Sequence, residues 1–193
     1  DELVQELNDK IRELQQQYDL SRSMDEMRER LDEILDREQS ALQGEHGHES
    51  ARMNDFLNRR HSETSSTSDA VEQFRDHAWE DEDAELDYRE LLEELDRMRA
   101  LEEFLQEQGE RFQGPESADY ETAQQIREQI QSLEQMARDL AEGNFQQISP
   151  EQLREMLGDE SAQSFVMIRD LQSNLEQAGL LRGEDPQLTP RAI

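Results

Sequence analysis

ISPEQLREMLG, residues 148–158, carries the start and stop signals of a short α-helix. Ser149 offers an N-cap oxygen, and Pro150 suits the first helical position because its missing N–H would have no partner there. Gln152 completes a capping box, and Gly158 ends the run. The reading extends downstream. Phe165, Ile168, Leu171 and Leu175 recur at helical spacing, and Gly179 stands as the C′ residue of a second, longer helix. LLRGEDPQLT, residues 180–189, then reads as two short strands, 180–182 and 187–189, around a Gly–Glu–Asp–Pro turn. Helix, turn, helix and hairpin outline a winged-helix-like module over 144–193. LTPRAI, residues 188–193, adds another cap signal at Thr189 and Pro190, yet only three residues follow. A marginal isolated helix needs roughly 12. With Asp1 in place of an initiator Met, the expectation is a piece of a longer protein.

Upstream, helical patterns continue. Ala123, Ile126, Ile130, Leu133, Met136 and Leu140 mark a long amphipathic helix closed by Gly143. Before the FQGPES turn, Leu91, Leu95, Met98 and Leu101 or Leu105 form a stripe ending near Gly109, and Val71, Phe74 and Ala78 form another. At the N-terminus, Leu3, Leu7, Ile11, Leu14 and Tyr18 step by four, four, three and four. DLSRS breaks this run. SMDE, residues 23–26, has the form of a capping box, and Met24, Met27, Leu31, Ile34 and Leu35 then run to Gly44. Two helices joined so briefly predict an antiparallel hairpin. Residues 44–69 lose the pattern apart from a possible helix at 51–59 (Met53, Phe56, Leu57), and HSETSSTSD, residues 61–69, suits a flexible polar linker. The expected organisation is all-α and elongated: a helical hairpin (1–43), a linker (44–69), a helical bundle region (70–143) and the winged-helix-like module (144–193).

Composition agrees with thin helical layers. Only 33% of residues are apolar and 36% are charged, with 5% aromatic and a single tryptophan, Trp79; ordinary domains have roughly 45–50% and about 25%. No apolar run reaches the roughly 18–20 residues of a membrane span. Cysteine is absent, which removes disulfides and thiolate metal sites and points to a reducing cytoplasm. The net charge is −29, the wrong sign for nucleic acid or an anionic membrane. Lys10 is the only lysine beside nineteen arginines, which suits either a salt-rich interior or a GC-rich genome.

Chemical motifs are few. Asp19, Ser21 and Ser23 match the D-x-S-x-S pattern with which von Willebrand A (VWA) domains hold a divalent ion. That loop needs a buried apolar strand before it, whereas ELQQQY is polar and helical, so a helix-to-helix turn with Ser23 as N-cap is expected. EHGHE places His46 and His48 between Glu45 and Glu49, potential zinc or nickel ligands, but in a Gly-flanked loop without a supporting scaffold. The only Glu-x-x-His spacing, Glu45 to His48, lies in that loop, which excludes a di-metal bundle. His61 and His77 have no partner that spacing would place beside them, and no Gly-rich phosphate loop or G-x-S-x-G occurs. No catalytic, cofactor-binding or metal residues are assigned. Residues 80–96 hold ten carboxylates against Arg89 alone, either a solvated face or a dock for a basic partner. In 144–193 eight acids face four arginines, and the would-be recognition helix shows Asp159, Glu160, Asp170 and Glu176 against Arg169, so a DNA-reading role is disfavoured.

YDLSRSMDEMRERLDEILDRE, AWEDEDAELDYRELLEELD, FQGPESADYETA, LREMLGDESAQSFVMIRDLQSNLEQAGLL and LTPRAI, in that order, resemble the N-terminal helical region of prokaryotic VWA-domain proteins related to magnesium-chelatase D-type and CoxE-like subunits. The resemblance implies a further helix after LTPR and a Mg²⁺-binding VWA domain beyond it; this chain would need no cofactor of its own. It also implies a MoxR-like or chelatase-like AAA+ ATPase as partner, in metal-cofactor insertion or protein maturation. The expected role is a non-catalytic interaction or scaffold segment. The alternatives are a winged-helix nucleic-acid-binding regulator and a metal-binding helical protein.

Overall fold

The start and the stop read at 148–158 fall where the sequence places them, with the Ser149 half of the capping box formed. In the computed structural model, which describes residues 2–47 and 50–179, Ser149 accepts the Gln152 N–H and Gly158 closes the helix at φ +98°. The fold is all-α, and 77% of the described residues are helical. In chain order, α1 (Glu2–Gln17) leads into β1 (Tyr18–Asp19), then α2 (Asp25–His46), α3 (Ala51–Arg60), α4 (Thr67–Glu72), α5 (Glu82–Glu93) and α6 (Leu95–Gln108). β2 (Glu116–Ser117), α7 (Tyr120–Glu142), α8 (Pro150–Leu157) and α9 (Asp159–Gln177) follow. Among the described residues the only sheet is the parallel pair of β1 and β2, with Tyr18 opposite Glu116 and Asp19 opposite Ser117. The strands expected at 180–182 and 187–189 lie outside the described residues, so the described part of 144–193 is a helix–turn–helix.

Two compact units are present, one built from residues 2–14 and 129–179, the other from 15–128. This replaces the expected division at 43, 69 and 143. In the first unit, Leu3, Leu7, Leu14, Ile130, Leu133, Met136, Leu140, Leu153, Ala162 and Phe165 are buried, and α8 packs on α9. In the second, α2 packs against α3, α4 and α5, and α4 against α6, over a core that includes Leu31, Leu42, Phe56, Phe74, Tyr88, Leu91 and Met98. Within this unit α2 spends its apolar face on α3 and α5.

Other expectations are corrected locally. α2 runs through Gly44 to His46, where Gly47 takes φ +77°. The capping box at SMDE is absent: Met24 is the N-cap residue and makes no side-chain cap bond. Ser23 is fully buried instead, and its Oγ donates to the Leu20 carbonyl at 2.7 Å. Residues 44–69 contain α3 and the start of α4, capped by Ser50 and Ser66 respectively, and Thr67 and Ser68 are buried. α4 stops at Glu72 rather than continuing to Ala78. The stripe of α7 holds, as does its closure, where Gly143 takes φ +76°; that of α1 is buried at Leu3, Leu7 and Leu14, with Ile11 half-buried and Tyr18 in β1.

The β pair is closed by backbone. Gly114 N–H donates to the Tyr18 carbonyl at 3.0 Å, and Ala118 N–H to that of Asp19 at 2.9 Å. A Cβ on Gly114 would lie 2.1 Å from the Gln17 carbonyl carbon and 2.4 Å from Tyr18 N. Backbone cannot rotate aside, so the strand pair has to part. Gly114→Ala is expected to cost about 1–3 kcal/mol, the range for overpacking a tight site. Gly109→Ala is the control: its φ is −55° and its nearest neighbour stands at 3.6 Å, so it should be neutral or stabilising by about 0.4–1 kcal/mol. Chemical denaturation of the two variants checks the contrast.

Candidate functional site

Glu38 occupies a position that its helix pattern reserves for an apolar side chain. It follows Leu31, Ile34 and Leu35 and precedes Leu42 on the buried face of α2, and it is itself fully buried. Its carboxylate accepts the backbone N–H groups of Glu80 at 3.0 Å and Asp81 at 2.9 Å. His77 Nε2 lies 2.5 Å from Glu38 Oε2. Sequence spacing offered no partner for His77; the fold supplies one from 39 residues away. The signal was present as a charged residue within a core stripe.

Around this pair, rings stack in series. Phe56 and Phe74 flank the His77 ring at 5.5 and 6.0 Å between centroids, Trp79 meets it edge-on at 4.7 Å, and Tyr88 lies 4.8 Å beyond Trp79. Tyr88 donates its phenol to the Val71 carbonyl, and burial pushes that phenol well above its ordinary range, so it remains a donor. A carboxylate beside an imidazole is a general-base arrangement in form. Here the bonds of the carboxylate end on the fold itself, joining α2 to the entry of α5. No buried side-chain nitrogen or oxygen among the described residues lacks a partner.

The remaining polar groups are also spent internally. In DLSRS, the Ser21 N–H donates to Asp19 Oδ1 at 2.9 Å, which is the main cause holding the Asp19 carboxyl below its usual range. With Ser23 buried on Leu20, the D-x-S-x-S residues form a turn in which Ser21 bonds Asp19 and Ser23 does not join them. A groove of about 670 Å³ is lined by Arg28, Arg99 and the hydroxyls of residues 65–68. Those hydroxyls knit α4 in place: Ser68 Oγ donates to Glu102, Arg28 to Thr67 Oγ1 at 3.2 Å, and Ser65 to Asp69 at 2.5 Å. Among the described residues no three metal-ligating side chains come together; His48 and Glu49 lie outside them. His61 is exposed beyond α3.

The acidic run at 80–96 divides in two. Glu80 pairs with Arg52 at 2.9 Å, Asp81 caps the Ala84 N–H, Asp87 pairs with Arg37, Glu85 with Arg89 and Glu94 with Arg97. Glu82, Asp83, Glu90, Glu93 and Asp96 are exposed. Four of these surround Leu86, which is 63% exposed, at i−4, i−3, i+4 and i+7. A second apolar exposure lies on α9, where Met167, Ile168 and Leu171 face solvent, so only the Phe165 end of the expected stripe is core. No described helix is long and apolar enough to cross a membrane.

Compared with family models, curated proteins and solved structures, the chain matches none.

Two outcomes follow from this geometry. Glu38→Ala strips acceptors from two backbone N–H groups and from His77, so it should destabilise the protein by about 3–5 kcal/mol, as for a broken buried pair; urea unfolding measures it. Ser23→Ala should cost about 0.5–1.5 kcal/mol through the lost hydroxyl bond, and Asp19→Ala should leave calorimetric Mg²⁺ titrations unchanged. Because the folded Asp19 carboxyl is held low, its contribution is present above the unfolded carboxylate range and fades as pH falls through the folded one. Asp19→Asn should therefore flatten the acid limb of the stability curve.

Proposed function

We propose that this chain is a non-catalytic protein-interaction module whose α5 face docks a basic partner surface. The observation that carries the reading is Leu86, exposed and ringed by Glu82, Asp83, Glu90 and Glu93. Like charges at helical i, i+3 and i+4 spacing oppose folding by a few tenths of a kcal/mol per pair, and an exposed leucine contributes nothing to a core. Both features gain a use when a partner brings cations to the carboxylates and an apolar pocket to the leucine. The resemblance to the helical region of VWA-domain proteins names the partner class to try first, a MoxR-like or chelatase-like AAA+ ATPase in the cytoplasm. In that setting the chain presents or scaffolds, and the chemistry belongs to the ATPase and to its client.

Capture of a MoxR-like or chelatase-like AAA+ ATPase tests the reading. The full chain should retain it on a column; Leu86→Ser should weaken retention, and reversal of Glu82, Asp83, Glu90 and Glu93 to Lys should abolish it. The same four reversals should flatten the rise in melting temperature expected between low and molar NaCl, since screening relieves the repulsion they remove. Equal retention of the reversed chain defeats the proposal.

A further inference from the structure

On α1, Glu2, Glu6, Asp9 and Glu13 stand at i, i+4, i+7 and i+11, and so share one helix face. On α9, Ser161, Ser164, Ile168, Leu171 and Leu175 fall within a sector of roughly 80° at the usual turn per residue, beside the buried Ala162 and Phe165. The two faces meet where Ser161 Oγ donates to Glu6 at 2.7 Å. A shallow groove opens to either side of that bond. One, about 210 Å³, is lined by Glu2, Leu3, Glu6, Glu160 and Ile168, among others. The other, about 310 Å³, is lined by Asp9, Lys10, Glu13, Met156 and Leu157 together with Glu6 and Ser161. Beyond the first groove α9 leaves Met167 72% and Leu171 60% exposed. All of these residues belong to the unit of 2–14 and 129–179.

We propose that this α1–α9 surface binds a basic amphipathic helix of a partner protein, with its apolar side on α9 and its Arg or Lys side chains on the carboxylates of α1. Charge complementarity fixes the occupant. Five carboxylates line the grooves against Lys10 alone. Lys10 lies 3.5 Å from Glu13 and Arg12 lies 3.3 Å from Asp9; such solvent-facing pairs are weak and readily exchanged. From Glu2 to Glu13 the acidic row spans about 16 Å, three turns of a docked helix, and Met167, Ile168 and Leu171 supply the apolar anchors. A second copy of this chain would bring the same acidic row against it. Residues 180–193 carry Arg182 and Arg191 against Glu184 and Asp185, and so offer no net positive charge. The inference shares with the α5 reading only the premise that the chain works by binding protein.

The test titrates the full chain with a fluorescent 18-residue peptide of Leu and Arg patterned as an amphipathic helix. Two controls are the same composition scrambled and the same pattern with Glu replacing Arg. The patterned basic peptide should bind at least about ten-fold more tightly than either control, roughly the effect of one interface anchor, and weaken as NaCl rises. Met167→Ser with Leu171→Ser should lose roughly ten-fold. Glu2→Gln, Glu6→Gln, Asp9→Asn and Glu13→Gln together should weaken binding and flatten its salt dependence, while the α5 reversals leave it unchanged. All these positions but the half-buried Glu6 are exposed, and circular dichroism checks that the helix is retained. Equal binding of the scrambled peptide, or no effect of the α9 pair, overturns the proposal. So does a ten-fold gain in affinity on removing 180–193, which makes the chain's own tail the occupant, or a dimer dispersed by Leu171→Ser. An acidic peptide that binds equally well overturns it while leaving the α5 reading intact.

Discussion

A carboxylate in an apolar helix face has to be surrounded by donors or it expels itself from the core. Glu38 meets that constraint in full, and much of the unit of 15–128 is arranged around the solution. The N–H groups of Glu80 and Asp81 donate to it, and the His77 ring nitrogen lies 2.5 Å from Oε2. Asp81 is in turn the N-cap of α5, so the register at which α5 starts is set from α2. His77 is held among Phe56, Phe74 and Trp79, which ties the segment after α4 to α3. One buried carboxyl group thereby joins three stretches that also bury Leu42, Phe56 and Phe74. In a chain with 33% apolar residues, specific polar contacts of this kind supply definition that a thick core would give elsewhere.

The same scarcity explains the surface. Interior polar atoms are paired, and carboxylates close to Arg37, Arg52, Arg89 and Arg97 are engaged with them. Some of the acids left over stand near large exposed apolar side chains: Glu82, Asp83, Glu90 and Glu93 around Leu86 on α5, and Glu2 and Glu6 of α1 across a groove from Ile168 on α9. A solvated face needs acids but not leucines. That coincidence supports binding to basic, partly apolar protein surfaces over a purely solubilising role.

Local signals were legible where one helix could satisfy them alone. Ser149, Pro150 and Gly158 bounded α8, and the apolar spacing of α7 gave its buried face and its end at Gly143. Signals that depend on partners distant in sequence were not. Ser23 looked like a cap because its spacing to Glu26 is right, yet burial turned its hydroxyl to Leu20. The pairing of residues 18–19 with 116–117 rests on Gly114 approaching Gln17, which no periodicity reports. His77 appeared alone because Glu38 is far away in sequence, although an acid on the 31–42 stripe was itself a visible anomaly. Leu86 was equally visible, being out of phase with Ala84, Tyr88 and Leu91.

If Glu38 organises its unit, the amides of Glu80 and Asp81 are locked into a buried carboxylate rather than lying in a surface loop. Amide hydrogen exchange followed residue by residue in the intact chain reads this directly. The Glu80 and Asp81 N–H groups should exchange only through the same cooperative unfolding that exposes the middle of α2 around Leu31 and Leu35. Exchange at the rate of exposed loop amides, while α2 stays protected, would contradict the role given to Glu38.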